Sequence, residues 1–174
     1  MKRENQRENG GAFTEKRVLV FGEEDYVALL LVAEKSPRKR AIINLHGPKE
    51  HANRMFNAIF PETYVRPHKH ENLHTSDTIT AVKGVFTALI FNDEGGIVNT
   101  IDIYGERVID IPPNTWHSVI AKVPCVLFEV KGQPKGGYGP ESDKTFPTWA
   151  PEEGTEESER YLDGLKQEIY ESEK

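Results

Sequence analysis

Beyond Pro37 the chain breaks into short apolar runs separated by turn residues, and this constrains the fold more than any other feature. The runs are "RAIINLH", "RMFNAIF", "TYVRPHKH", "DTITAVKG", "VFTALIFN", "IVNTIDIY", "ERVIDIP", "HSVIAK" and "CVLFEV". Each suits one strand and is too short for a packed helix, and Gly, Pro, Asn or Asp stand between most of them. Between "ALIFN" and "IVNTI" lies Asp93-Glu94-Gly95-Gly96, a hairpin turn whose glycines accept positive φ. Many short strands at close spacing predict an all-β sandwich or barrel.

The flanks differ in character. Residues 1–16 are polar with little to bury and read as a flexible tail. "EEDYVALLLVAEKSPRKR" predicts a helix: Glu23, Glu24 and Asp25 suit the positive N-terminal end of the dipole, and Ser36-Pro37 ends it. From Gln133 to Gly154, Gly, Pro and Lys alternate with Tyr138, Phe146 and Trp149, as in an ordered loop packed over a barrel. "EESERYLDGLKQEIYESEK" places Leu162, Leu165 and Ile169 on one helical stripe beside Tyr161, a short amphipathic helix weakened by Gly164. The domain organisation expected is a tail over 1–16, one β domain with its leading helix over 17–154, and an acidic helical tail over 155–174.

Composition narrows the partners. A net charge of −6 removes the driving force for binding a phosphate backbone, so nucleic acid is not expected. The single cysteine, Cys125, lies in an apolar run and rules out an intrachain disulfide or a thiol-rich zinc finger. The longest apolar run, "YVALLLVA" at 26–33, falls well short of a membrane span, and "MKRENQRENGG" is unlike a secretory signal. A cytoplasmic protein without a membrane partner is expected.

Three of the six histidines fall within "RPHKHENLHTSD", residues 66–77. Side chains at i and i+2 of an extended segment face the same way, so His68 and His70 share one side. Two imidazoles do not make a metal site, which needs at least three protein ligands. Asp77, at the start of "DTITAVKG", and His117, after "PPNTW", are the candidates to complete it, with His74 as an alternative to Asp77. Arg54 and Asn57 interrupt the apolar run "NRMFNAIF", Tyr64 precedes the His pair, and Glu129 alternates with apolar neighbours in "LFEVK"; all four are candidates to line a pocket. His46 and His51 have no matching partner and read as structural. No G-x-S-x-G and no nucleotide-binding glycine fingerprint occurs, so chemistry is expected to run through a metal; no catalytic residue is assigned.

The arrangement H-x-H, an acidic residue, Gly84 and then "PPNTWH" resembles the two signature motifs of the cupin superfamily. "INLHGPKEHANRMFNAIFPETYVRPHKH", "IPPNTWHSVIA" and "LFEVKGQPKGGYGPESDKTFPTWAPEEG" resemble the WbuC-type cupin fold metalloproteins, found beside genes for bacterial surface polysaccharides. The resemblance spans about residues 24–154 and implies a jelly-roll (double-stranded β-helix) barrel with an N-terminal helix and a short C-terminal one. It places metal ligands on His68, His70 and His117, with Asp77 where these cupins usually have Glu. Six residues separate His70 from Asp77 here against four in the family pattern, which keeps His74 in contention. Asn114 stands where the second motif has Gly, a position where Asn also tolerates the left-handed region. Ala121 stands where some members carry Asn.

A site of three histidines and one carboxylate accommodates Fe, Mn, Ni or Zn as the divalent cofactor. The resemblance implies a metal-dependent enzyme acting on a sugar or sugar-derived small molecule, isomerase-like or epimerase-like, in surface-polysaccharide biosynthesis. A non-catalytic metal- or sugar-binding accessory protein is the alternative, and an Fe(II) dioxygenase a third reading. Exposed sheet edges need covering, and a homodimer is expected on that ground.

Overall fold

The computed structural model describes residues 18–47, 50–132 and 143–172. The tail expected over 1–16 lies outside the described residues, as does Tyr138 of the trailing loop. The elements are α1 (Glu23–Lys35), β1 (Arg40–Asn44), β2 (Ala52–Ile59), β3 (Asp77–Lys83), β4 (Phe86–Phe91), β5 (Ile97–Ile103), β6 (Val108–Ile111), β7 (Trp116–Ala121), β8 (Cys125–Gly132) and α2 (Glu156–Ser172). The strands form two antiparallel sheets, one ordered β1-β2-β8-β3-β6 and the other β5-β4-β7.

Period-two alternation divides every strand between two environments. One set, including Ile59, Ile79, Ala81, Phe86, Ala88, Ile103, Ile111, Val119, Cys125 and Leu127, fills the space between the sheets. On the other face of the larger sheet Phe56, Ala58 and Val126 pack beneath Leu29 and Ala33 of α1. On the other face of the smaller sheet Leu89, Phe91 and Ile120 pack beneath Leu162, Leu165 and Ile169 of α2. The layers therefore run helix, sheet, barrel interior, sheet, helix: an all-β barrel flanked by an N-terminal and a C-terminal helix, as expected. Among the described residues no helix is long and apolar enough to cross a membrane.

The helices follow their end signals. Asp25 accepts a hydrogen bond from the Gly22 N–H (2.9 Å) at the start of α1, and the Ser36 N–H donates to the Ala33 carbonyl (3.1 Å) at its end. Helix α2 is longer than expected, 17 residues. Thr155 caps it, its Oγ1 accepting from the Ser158 N–H (3.1 Å) while the Ser158 Oγ accepts from the Thr155 N–H (3.2 Å). A Cβ at Gly164 would meet nothing within 4 Å, so this glycine costs only its intrinsic propensity, about 1 kcal/mol.

The run "TYVRPHKH" is not a regular strand. Pro67 has no N–H to give a ladder. Only His68 and Lys69 pair with extended neighbours, His68 with His117 on one side and Lys69 with Thr145 on the other.

Candidate metal centre

Three short stretches of backbone bring four side chains to one place. His68 and His117 exchange both backbone hydrogen bonds (3.0 and 2.9 Å), which locks the end of β7 against the extended 68–70 segment. Asn114 has φ +63°, the left-handed conformation of the turn that starts β7, and its N–H donates to the His70 carbonyl (2.7 Å). Asp77 is the first residue of β3 and shares the interior face of that strand with Ile79 and Ala81. The ligand atoms of His68, His70, Asp77 and His117 all lie within 4.8 Å of one another. Each residue is at most 4% exposed.

Each imidazole is oriented by a backbone carbonyl at Nδ1: Arg66 for His68 (2.9 Å), Thr115 for His117 (2.8 Å) and Asp143 for His70 (2.6 Å). A carbonyl only accepts, so Nδ1 carries the hydrogen in each ring and Nε2 is the atom left to face the cluster. Carbonyl anchoring of this kind sets ring orientation and raises ligand basicity at metal sites. Asp77 Oδ2 lies 3.0 Å from His70 Nε2 and 3.3 Å from His117 Nε2. Asp77 Oδ1 and His117 Nε2 are buried with no hydrogen-bond partner among the described residues. Buried polar atoms without partners cost on the order of 1–3 kcal/mol each. A divalent cation among these four ligands would satisfy both, and three nitrogens with one carboxylate oxygen suit Fe, Mn, Ni or Zn.

The electrostatics of the cluster are uneven. Burial holds His68 well below the usual imidazole value, assisted by the charge of Lys144 and by the two neighbouring imidazoles. Burial also works to lower His70, but hydrogen bonds to Asp143 and Asp77 outweigh it and carry the ring up to about 9. For Asp77 burial opposes ionisation, yet the imidazoles of His117 and His70 beside its carboxylate and the charge of Lys131 hold its carboxyl well below the usual range. Lys131, desolvated by burial, is kept protonated by Glu129, Asp77 and Asp143, its Nζ 2.5 Å from Asp143 and 3.6 Å from Glu129.

The remaining candidates divide by strand face. Glu129 shares the interior face of β8 with Leu127 and Lys131, and its Oε2 accepts a hydrogen bond from Asn57 Nδ2 (2.9 Å). Arg54 points to the other face of β2 and bonds the Leu45 carbonyl (3.1 Å) and Glu50. Tyr64 packs under α2, its OH donating to the Pro151 carbonyl (3.0 Å). His74 is exposed in the turn before β3, outside the cluster. His46 accepts from the Arg54 N–H through Nδ1 (2.9 Å), and His51 is exposed. Residues that sequence reasoning passed over also face this region: Asn53, one alternation step from the Met55 that shares its face, and Lys131, Asp143 and Lys144. The polar positions in "ANRMFN", "LFEVK" and "ESDKTF" were the only signal for them.

A family model described as a domain of unknown function (DUF6016) matches residues 21–103. The match takes in His68, His70 and Asp77 and stops before His117. No curated protein matches the sequence. Solved structures similar to this chain include a conserved protein of unknown function from Streptococcus pyogenes, with 12% identity over 57% of this chain and 79% of that one and a TM-score of 0.47. A cupin superfamily protein from Desulfitobacterium hafniense shows 11% identity, 53% and 76% coverage and a TM-score of 0.45. Oxalate decarboxylase from Bacillus subtilis shows 14% identity over 62% of this chain and 27% of its own, with a TM-score of 0.48. The two-sheet barrel with its flanking helices is consistent with the cupin architecture implied by the sequence motifs.

Proposed function

We propose that this chain is a metal-binding cupin whose His68, His70, Asp77 and His117 hold one divalent transition ion. The observation that carries the reading is the convergence of four buried ligand atoms with every Nδ1 already engaged and Asp77 Oδ1 lacking any donor. Among these residues the roles are distinct. The Arg66, Thr115 and Asp143 carbonyls fix the three rings, Asp77 supplies the negative charge, and Lys131 neutralises the carboxylates behind it. When bound, such an ion polarises a hydroxyl or carbonyl oxygen or brings the pKa of a bound water towards 7. The resemblance to WbuC-type cupins supports an enzyme that rearranges a sugar or sugar-derived small molecule.

Elemental analysis of protein purified without chelator tests the metal. About one equivalent of Fe, Mn, Ni or Zn is expected in the wild type. It should be lost from a His68→Ala/His70→Ala variant and a His117→Ala variant that keep the wild-type circular dichroism. Absence of metal from the wild type after soaking with each of the four ions would refute the reading.

A further inference from the structure

Residues 143–146 form a strap that runs antiparallel beside the His-x-His segment. Thr145 exchanges backbone hydrogen bonds with Lys69 (3.0 and 2.9 Å), so antiparallel pairing sets Lys144 opposite His70 and Phe146 opposite His68. Cross-strand partners point to the same side, and the ring centroids of His68 and Phe146 lie 6.2 Å apart. Lys144 accordingly faces the side on which the imidazoles converge. Its charge acts on His68, and it responds in turn to Lys131, Glu129, Asp77 and Asp143.

Among the described residues no carboxylate lies within ion-pair distance of Lys144. The nearby acids are engaged: Asp143 and Glu129 by Lys131, Asp77 by the imidazoles. Burial pushes the Lys144 ammonium down, as expected for a cation that lacks a counter-ion. A second polar group is stranded in the same layer. Asn53 is fully buried, neither its Nδ2 nor its Oδ1 has a hydrogen-bond partner among the described residues, and its register runs Asn53, Lys131, Asp77 across three adjacent strands. Charge gives the sign of what is missing. Among the described residues three carboxylates (Asp77, Glu129, Asp143) face two ammonium groups (Lys131, Lys144), with the Arg66 guanidinium over Phe146 (4.7 Å) beyond them, so a divalent ion leaves these groups net positive.

We propose that the centre takes a small carboxylate, its anionic head paired with Lys144 and an adjacent oxygen directed at the metal. The inference rests on the metal-centre reading and narrows its substrate class to organic acids, sugar acids included. A neutral sugar would leave Lys144 without a partner.

The test uses the full chain loaded with Co(II), whose visible absorption reports changes at the ion, and glycolate, glycolamide and inorganic phosphate as probes. Glycolate should perturb the wild-type spectrum saturably, with glycolamide and phosphate at least tenfold weaker. Lys144→Gln should take up one equivalent of Co(II) and bind glycolate roughly tenfold to a hundredfold more weakly, as for loss of a charge-assisted hydrogen bond. Lys144→Arg should stay within a few-fold of wild type. Equal glycolate affinity in Lys144→Gln, or glycolamide or phosphate binding as well as glycolate, would overturn the proposal while leaving the metal centre standing. So would loss of Co(II) from Lys144→Gln, since the lysine would then serve the centre itself. Wild type that takes up neither Co(II) nor any of Fe, Mn, Ni and Zn would overturn the metal reading and this one with it.

Discussion

In the metal-free protein His70 should make stability depend on pH across a window that no other described imidazole with a shifted value occupies. Its ring is raised from 6.5 to about 9 by Asp143 and Asp77 against the pull of burial. A raised folded value means that the folded state holds the proton more tightly than the unfolded chain. The stabilisation is therefore complete below pH 6.5 and lost as pH rises through about 9. A shift of that size corresponds to roughly 3 kcal/mol, or a fall in Tm of about 6–12 °C for a chain of this length. His68 cannot mimic the effect, because its lowered value makes it bind fewer protons than the unfolded chain and acts only below the ordinary imidazole value. Lys144, pushed down by burial, opposes the trend at the alkaline end. Thermal unfolding by circular dichroism, on protein dialysed against chelator and stepped from pH 6 to 9.5, measures the slope. Metal should abolish it by taking the place of the Nε2 proton, so the metal-induced rise in Tm should widen with pH. His70→Asn should flatten the metal-free curve. A flat metal-free wild-type curve, or a slope that survives saturation with metal, would refute the reasoning.

Two further outcomes test the frame around the centre. A Cβ at Gly132 would collide with the His74 carbonyl oxygen, so Gly132→Ala should displace the turn that leads into Asp77. It should cost about 1–3 kcal/mol by urea unfolding and weaken metal binding in a chelator-competition titration. Leu165, on the face of α2 that packs on the outer side of the smaller sheet, is 5% exposed. Leu165→Ala should cost about 2–5 kcal/mol while leaving metal stoichiometry at the wild-type value.

The parts of this structure legible in the sequence are those governed by local periodicity. Eight of the nine apolar runs became strands because alternation lets each turn one face to the barrel interior, while the other lies beneath a helix, as in β2 and β4, or faces outward, as in β6. Asn114 was readable as a left-handed turn residue, and its φ of +63° follows. What escaped depends on register and on contacts distant in sequence. Arg54 and Asn53 are adjacent polar residues in β2, and a shift of one position exchanges the faces they occupy. It is Asn53 that turns inward, because its Cα pairs with Lys131 in the row that ends at Asp77. The hydrogen bond from His70 Nδ1 to the Asp143 carbonyl joins residues 73 positions apart, which no window of sequence can reveal. The expected strand at 63–70 failed for a local reason, Pro67, yet its His-x-His end stayed extended because β7 and the strap hold it from both sides.

That double hold bears on how the centre is kept in shape. The strap is tied at its far end by the Trp149 indole N–H to the Asp93 carbonyl (3.0 Å), Arg66 Nε to the Ala150 carbonyl (3.1 Å) and the Tyr64 hydroxyl to Pro151. At Gly95, φ +90°, a Cβ would approach the Trp149 ring to 2.7 Å, so the β4–β5 turn and the strap fit only because that position has no side chain. The same strap carries the carbonyl that orients His70, the carboxylate that pairs with Lys131, and Lys144. Docking of the strap and filling of the centre consequently favour one another, since any ion that prefers the oriented His70 must also prefer the docked strap. The segment from Asp143 to Pro151 therefore belongs to the centre as much as the His-x-His segment does.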